Sequence, residues 1–448
     1  MKSRITQFIL IVAITPIFLV GETRAQQGLS ISTEEAVRWR EDLRVLAAEI
    51  PARHKNAFHT TSAETFAASV AALHKAIPAM ARHQIIVEMA RIVALVGDGH
   101  TSISPTRDSE IRFNTVPVKL YFFKDGLFVR ATTIAQRAWL GARIIKIGSA
   151  TPAEALARVS EIIGRDNTWG ARFFAPHLLV MPEILHALAL SEDPRRATLL
   201  LERDGKQETV HFVATEAAQM MAPDTDMSWL AQPGWIDWRN TEEKSSNDSP
   251  LWLRDPANEF WMSHLSSSKL LYVQINKIAN KPDETLAAFG KRVRLLADSD
   301  SVETLVLDLR LNRGGNGALL PPLVRELMKA KTDRYGHFYV ISSRGTFSAA
   351  QFLLDRLETY TQAVFVGEPS SSKGNAYGDS RRIRLPNSGI TVRASIYYWQ
   401  DWHPLDQRMF IEPAIRAELT SEEYRNGIDP SLAKIHEDVQ MRKSETAS

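Results

Sequence analysis

Leu305-Val-Leu-Asp-Leu-Arg-Leu-Asn-Arg-Gly-Gly-Asn316 is the stretch whose reading decides the fold. Leu305–Leu309 is an almost unbroken apolar run, as expected of a strand covered on both faces in a parallel sheet. It runs directly into a glycine pair, and paired glycines let backbone N–H groups approach a ligand or an oxyanion with no Cβ in the way. A tight turn is the plainer reading of Gly314-Gly315 taken alone. The pattern repeats around it. Leu270–Asn276, Phe338–Ser342 and Ala363–Val366 read as strands, and Leu286, Phe289, Val293 and Leu296 mark one face of a helix between them. Such alternation predicts an α/β unit with a largely parallel sheet over 251–440.

Upstream the periodicity changes twice. Residues 26–105 read as a helical region: Ser32 and Glu35 fit a capping box, and Trp39, Leu43, Leu46 and Ile50 fall on one helical face. A second stripe runs through Ile85, Met89, Ile92, Val93 and Val96. Residues 106–215 read as a small β-rich middle domain. Asp125-Gly126 and Asp204-Gly205 are hairpin turns between apolar runs, Arg143–Gly148 is a further strand, and a helix starts at Pro152. Residues 216–250 lose all periodicity and read as a connector.

The bulk numbers narrow the classes. The chain has 448 residues, which predicts more than one domain. With 54 Lys+Arg against 52 Asp+Glu it carries a formal charge of +2, so electrostatics give no case for nucleic acid or an anionic membrane as partner. It has no cysteine, which excludes disulfides, thiolate metal sites and cysteine nucleophiles. Lys2 and Arg4 precede an apolar run from Ile5 to Val20, with small residues at Thr23 and Ala25. This layout predicts a signal peptide over 1–25, cleaved after Ala25, and an exported, periplasmic or secreted protein with no membrane span thereafter. An uncleaved anchor is the alternative.

Two further segments carry chemistry. Arg344-Gly-Thr-Phe-Ser-Ala-Ala-Gln351 lies between a strand and a helix, so Ser348 is expected at a helix N-terminus with the N–H of Ala349 unbonded. An N-cap serine is the plainer reading. Gly367-Glu-Pro-Ser-Ser-Ser-Lys-Gly374 follows a strand and offers Lys373, a general base if it can be held neutral. No phosphate loop and no metal-ligand cluster is legible, so no cofactor is expected.

Together these pieces resemble the tail-specific, C-terminal-processing serine peptidases. Ser-Ala-Ala-Gln resembles that family's nucleophile motif, with the lysine of a glycine-flanked loop 25 positions later, as from Ser348 to Lys373. Asp308–Gly315 matches its Asp-Leu-Arg-x-Asn-x-Gly-Gly hallmark. Gly97-Asp-Gly-His-Thr101 resembles a motif of tricorn-like and retinoid-binding-protein-like relatives, in which a histidine serves as base. The resemblance implies a crotonase/ClpP-like catalytic core, a PDZ-like middle domain, a peptide or protein substrate and hydrolysis through an acyl-enzyme. Ser348 would be the nucleophile, Lys373 or His100 the base, with Lys373 favoured by its spacing. The N–H groups of Ala349 and of Gly314 or Gly315 would hold the oxyanion. Gln351, Thr359, Ser370-Ser-Ser372 and Glu412-Pro-Ala414 depart from the family pattern. A non-catalytic peptide- or ligand-binding protein on the same scaffold is the alternative, and another hydrolase on this core a third. Oligomeric state is not legible.

Overall fold

The computed structural model describes residues 31–215, 229, 234–240, 249–334 and 336–447; the expected signal peptide and most of the connector lie outside them. Helices and sheets are mixed, in three sheets. The apolar run at 305–309 becomes a central strand, Thr304–Asp308, of a six-stranded sheet. Its neighbours Leu270–Ile275 and Phe338–Ser342 run parallel to it, as do Val364–Gly367 and Ile415–Arg416 beyond; only the edge strand Phe260–Leu265 is antiparallel. Successive side chains on Thr304–Asp308 feed two cores. Leu305 and Leu307 pack with the helices Leu286–Ala297, Leu320–Leu327 and Ala349–Tyr360, while Val306 packs with Ile435 and Val439 of the last helix, Pro430–Ala447. Burial on both faces is why this strand does not alternate, and each such side chain contributes on the order of 1.5–3 kcal/mol.

The middle sheet is antiparallel. Val118–Phe123 and Gly126–Thr133 form the hairpin expected at Asp125-Gly126, and Arg196–Arg203 and Lys206–Val213 form the one expected at Asp204-Gly205. Arg143–Ile147 joins them. The capping box of Ser32 and Glu35 starts the helix Thr33–Arg53. Apolar residues from Ala36 through Phe212 form one continuous buried cluster, joined by Ile383, Val392 and Ala394 from far along the chain.

Two expectations need correction. The 216–250 connector contains a short strand, Trp235–Asp237, which pairs with Ala131–Thr133. Three residues are too few to show a period, so only a partner strand reveals it. The simple strand–helix alternation after 251 is also broken. Asn375–Arg384 and Thr391–Gln400 form a long antiparallel hairpin, and Ser102–Ile103 adds to its edge, pairing with Arg393 and Val392. Asp379 and Gly378 within the first strand, and its row of arginines, hide the pattern. This hairpin brings the 97–103 segment to the parallel sheet.

Candidate active site

The strand Phe338–Ser342 ends at a loop, Ser343–Phe347, which delivers Ser348 to the N-cap position of the helix Ala349–Tyr360. Ser348 does not cap that helix with its side chain. Its backbone stands at φ 57°, ψ −128°. A non-glycine residue held there costs on the order of 1–3 kcal/mol, a strain found where function over-determines geometry. The hydroxyl instead meets a histidine from 248 positions away: His100 Nε2 lies 3.0 Å from Ser348 Oγ.

The Asp308–Asn316 motif builds the floor beneath it. Asp308 accepts from Tyr272 Oη at 2.6 Å and pairs with Arg310, which also binds Asp429. Asn312 donates from Nδ2 to Ile275 O and accepts from Phe347 N–H through its own carbonyl. The motif's polar side chains thus anchor the turn in a buried network. Gly314 (φ 102°) passes so close to the serine that a Cβ there would lie 2.7 Å from Ser348 Cβ. Its N–H is engaged, donating to Asn312 Oδ1 at 2.8 Å. The N–H groups of Gly315 and Ala349 have no such acceptor among the described residues.

His100 is positioned by Asp98. That fully buried carboxylate accepts from the N–H groups of His100 and Thr101 at 2.9 and 2.8 Å, from Ser395 Oγ at 2.7 Å and from His54 Nε2 at 2.9 Å. Burial opposes its charge, but the bonds from His54, Ser395 and Thr101 outweigh burial and hold it at about 2. Because Ser395 belongs to the long hairpin, these bonds clamp the histidine turn onto the parallel-sheet half. The His100 ring stacks on Phe347, with centroids 4.5 Å apart. Burial lowers its pKa below the usual histidine value, against the pull of Asp98 and Asp379. The Tyr377 carbonyl favours protonation of the ring, yet Nδ1 has no partner of hydrogen-bond geometry, so no carboxylate orients the ring.

Lys373 lies on the loop beside the serine. It forms no hydrogen bond with Ser348 among the described residues, and its charge acts instead on His59 and Asp166. The preceding residue is the one in contact: Ser372 Oγ accepts from Ser348 N–H at 3.3 Å. Ser372 Oγ in turn donates to Asp166 Oδ2 at 3.1 Å, and Asp166 Oδ1 accepts from Gly99 N–H at 2.9 Å. Asp166 therefore ties the turn that carries His100 to the loop beside Ser348. Burial, then the Asp98 carboxylate, push its pKa up to about 6. Asn167 completes the clamp. Its Nδ2 donates to the Ser370 carbonyl at 3.1 Å, while its Oδ1 caps the helix Thr168–Leu178. Neither residue stood out in the sequence. An Asn-Thr step opening a helix is an N-cap signal, but nothing in it points to a loop some 200 positions later.

The departures from the family pattern have local accounts. Gln351 Nε2 donates to Asp355 Oδ1, and its Oε1 accepts from Ser370 Oγ, joining the helix to the serine loop. Thr359 bonds back to the Asp355 carbonyl, and Glu412 pairs with Arg416. Glu368 of the Gly-Glu-Pro segment is buried against Arg344, whose Nη1 also donates to the Phe122 carbonyl at 2.8 Å. His54, His59 and Asp98 present ligand atoms within 4.8 Å of one another. In this structure both His54 nitrogens are engaged, Nδ1 accepting the Asn56 N–H and Nε2 lying 2.9 Å from Asp98 Oδ2.

No family profile matches the chain. A stretch covering 39% of it is 25% identical over 190 residues to the tricorn-like protease C-terminal subunit of Sulfurisphaera tokodaii; the match covers 21% of that relative, so the chain spans about a fifth of its length. Mature CPAF complexed with lactacystin superposes with a TM-score of 0.58 at 14% identity, covering 91% of this chain and 99% of that one. Mature CPAF alone gives 0.56, also at 14% identity, over 90% and 97%. The fold is that of these structures. With its motifs and this relative, the chain resembles the tail-specific, C-terminal-processing peptidases and their tricorn-like kin.

Proposed function

We propose that this chain is an exported serine-type peptidase in which Ser348 is the nucleophile and His100 its general base. The observation that carries the reading is the 3.0 Å contact between His100 Nε2 and Ser348 Oγ, made between segments 248 positions apart. In the proposed reaction His100, neutral because burial disfavours its charged form, takes the hydroxyl proton as Ser348 attacks a peptide carbonyl. The N–H groups of Gly315 and Ala349, next to the serine and without acceptors, would receive the developing oxyanion. His100 then returns the proton to the leaving amine, and water hydrolyses the acyl-enzyme. Lys373 supports the loop electrostatically and takes no proton. We read the parallel-sheet half, 251–440, as a crotonase/ClpP-like core, and 106–215 as a PDZ-like domain, after a helical 26–105.

A fluorophosphonate probe tests the reading: wild type should label and hydrolyse casein or a quenched peptide, and Ser348→Ala should do neither while keeping its circular dichroism. Hydrolysis undiminished in Ser348→Ala refutes it. The partnerless His100 Nδ1 favours a second reading, a non-catalytic peptide-binding protein on this scaffold. That protein would bind peptides but leave the probe unreacted.

A further inference from the structure

The cavity that opens onto Ser348 has a volume of about 370 Å³ and reaches well beyond the two reacting side chains. Its walls are of two kinds. Ile103, Ile162, Ile163, Phe174 and Leu178 give an apolar side. Arg107, Lys277, Arg313 and Arg393 also line it, and none of its described lining residues is acidic. The whole chain is near neutrality at +2, so four cationic side chains around one cavity are not a consequence of composition.

One of the four is fixed close to the point of attack. Arg313 immediately precedes Gly314. Its Nη1 donates to the Gly345 carbonyl at 3.1 Å and to Ser371 Oγ at 3.3 Å, and its guanidinium lies against the rings of Phe173 and Phe347 at 4.2 and 4.7 Å. Those contacts hold it in one orientation before any substrate arrives, which lowers the entropy lost on binding. Lys277 precedes Ile278, whose backbone bridges Gly314 and Asn316 on either side of Gly315. Arg393 comes from the long hairpin, opposite Ser102. An arginine held in this way favours a planar carboxylate, and a partly enclosed apolar site strengthens the attraction.

Building on the peptidase reading, we propose that this cavity selects peptides with an acidic side chain within about two residues of the scissile bond, beside an apolar one. The carboxylate would sit among Arg313, Lys277 and Arg393, and the apolar neighbour against the isoleucines. An uncharged isostere should lose on the order of ten- to a hundredfold, the worth of a hydrogen bond to a charged group.

The test uses the mature chain and internally quenched peptides of alanine and leucine with one variable residue, Glu, Gln or Lys, placed in turn at each position flanking the cleaved bond. All are made with amidated and with free C-termini. The expected result is kcat/KM in the order Glu, Gln, Lys at one flanking position, whatever the C-terminus. Lys277→Met and Arg393→Met should each narrow the Glu-to-Gln ratio. Equal rates for Glu and Gln at every position overturn the proposal while leaving the peptidase reading intact. So does a preference seen only with a free C-terminus, which would assign the cationic wall to the chain end. Fluorescence anisotropy of the same peptides on Ser348→Ala supplies a readout that needs no catalysis. Tighter binding of the Glu peptide there supports the subsite even if wild type cleaves nothing and the peptidase reading fails; equal affinities overturn it.

Discussion

Asp166→Asn is the perturbation that tests most of the site's architecture at once. Asp166 is 3% exposed and has a folded-state pKa of about 6 against an ordinary 3.8. The folded chain therefore holds this proton more tightly than the unfolded chain does. The stability so contributed is present below about pH 4 and is lost as pH rises through about 6. A displacement of about two pH units corresponds to roughly 3 kcal/mol at neutral pH, the energy needed to keep a charge buried beside Asp98. Asparagine keeps the shape without the charge. Its Oδ1 can still accept from Gly99 N–H, and its amide can donate to Ser372 Oγ. Asp166→Asn should therefore be more stable than wild type by up to about 3 kcal/mol at pH 7.5, with the gain gone at pH 4. Urea melts at half-unit steps of pH from 4 to 8 give this difference directly. A gain that does not vary with pH would refute the argument, because the charge would then not be what burial penalises. Activity separates positioning from stability. Asp166→Ala removes both acceptors and should lower kcat at least tenfold, whereas the asparagine variant should retain more of it. Equal turnover in both variants would mean that Asp166 does not hold His100 and Ser348 together.

Losing the general base should cost on the order of a hundredfold or more in turnover. His100→Ala should show that loss in a peptide-hydrolysis assay and Lys373→Ala should not; the reverse result would return the base to Lys373. Gly314→Ala forces a methyl group to 2.7 Å from Ser348 Cβ at φ 102°, so it should destabilise by about 1–3 kcal/mol in thermal melts and abolish probe labelling. In the proposed mechanism His100 acts as its neutral form, and burial lowers its pKa, so kcat/KM should fall only as pH drops through a value below 6.5; an acid limb above 6.5 would contradict that. N-terminal sequencing of the mature protein should begin at Gln26, and recovery of the chain with Met1 intact would refute export by cleavage after Ala25.

How much of this was legible in the residues differs by segment. Local signals carried the elements: the capping box at Ser32, the turns at Asp125-Gly126 and Asp204-Gly205, and the doubly covered strand at Leu305 are all properties of a few neighbouring residues, and the structure has each of them. Ser348 and the glycine pair stood out through the family resemblance, because Phe-Ser-Ala alone reads more plainly as an N-cap and Gly-Gly alone as a tight turn. The base was not legible. A spacing of 25 positions pointed to Lys373, but separation along the chain says nothing about separation in space. His100 reaches Ser348 because Ser102 pairs with Arg393 and Ser395 binds Asp98, and those contacts exist only once a hairpin hidden by its arginines has formed. Asp166 and Ser372, the cationic wall of the cavity, and the strained backbone of Ser348 belong to the same class. Residue types and local periods act over a few positions, so the sequence by itself determined most of the strands and helices and offered Ser348 as a candidate nucleophile. Protonation, buried hydrogen bonds and the meeting of distant side chains depend on what tertiary packing brings within about 3 Å, so only the folded chain shows which side chain meets Ser348, what holds His100 in place and what lines the cavity beside them.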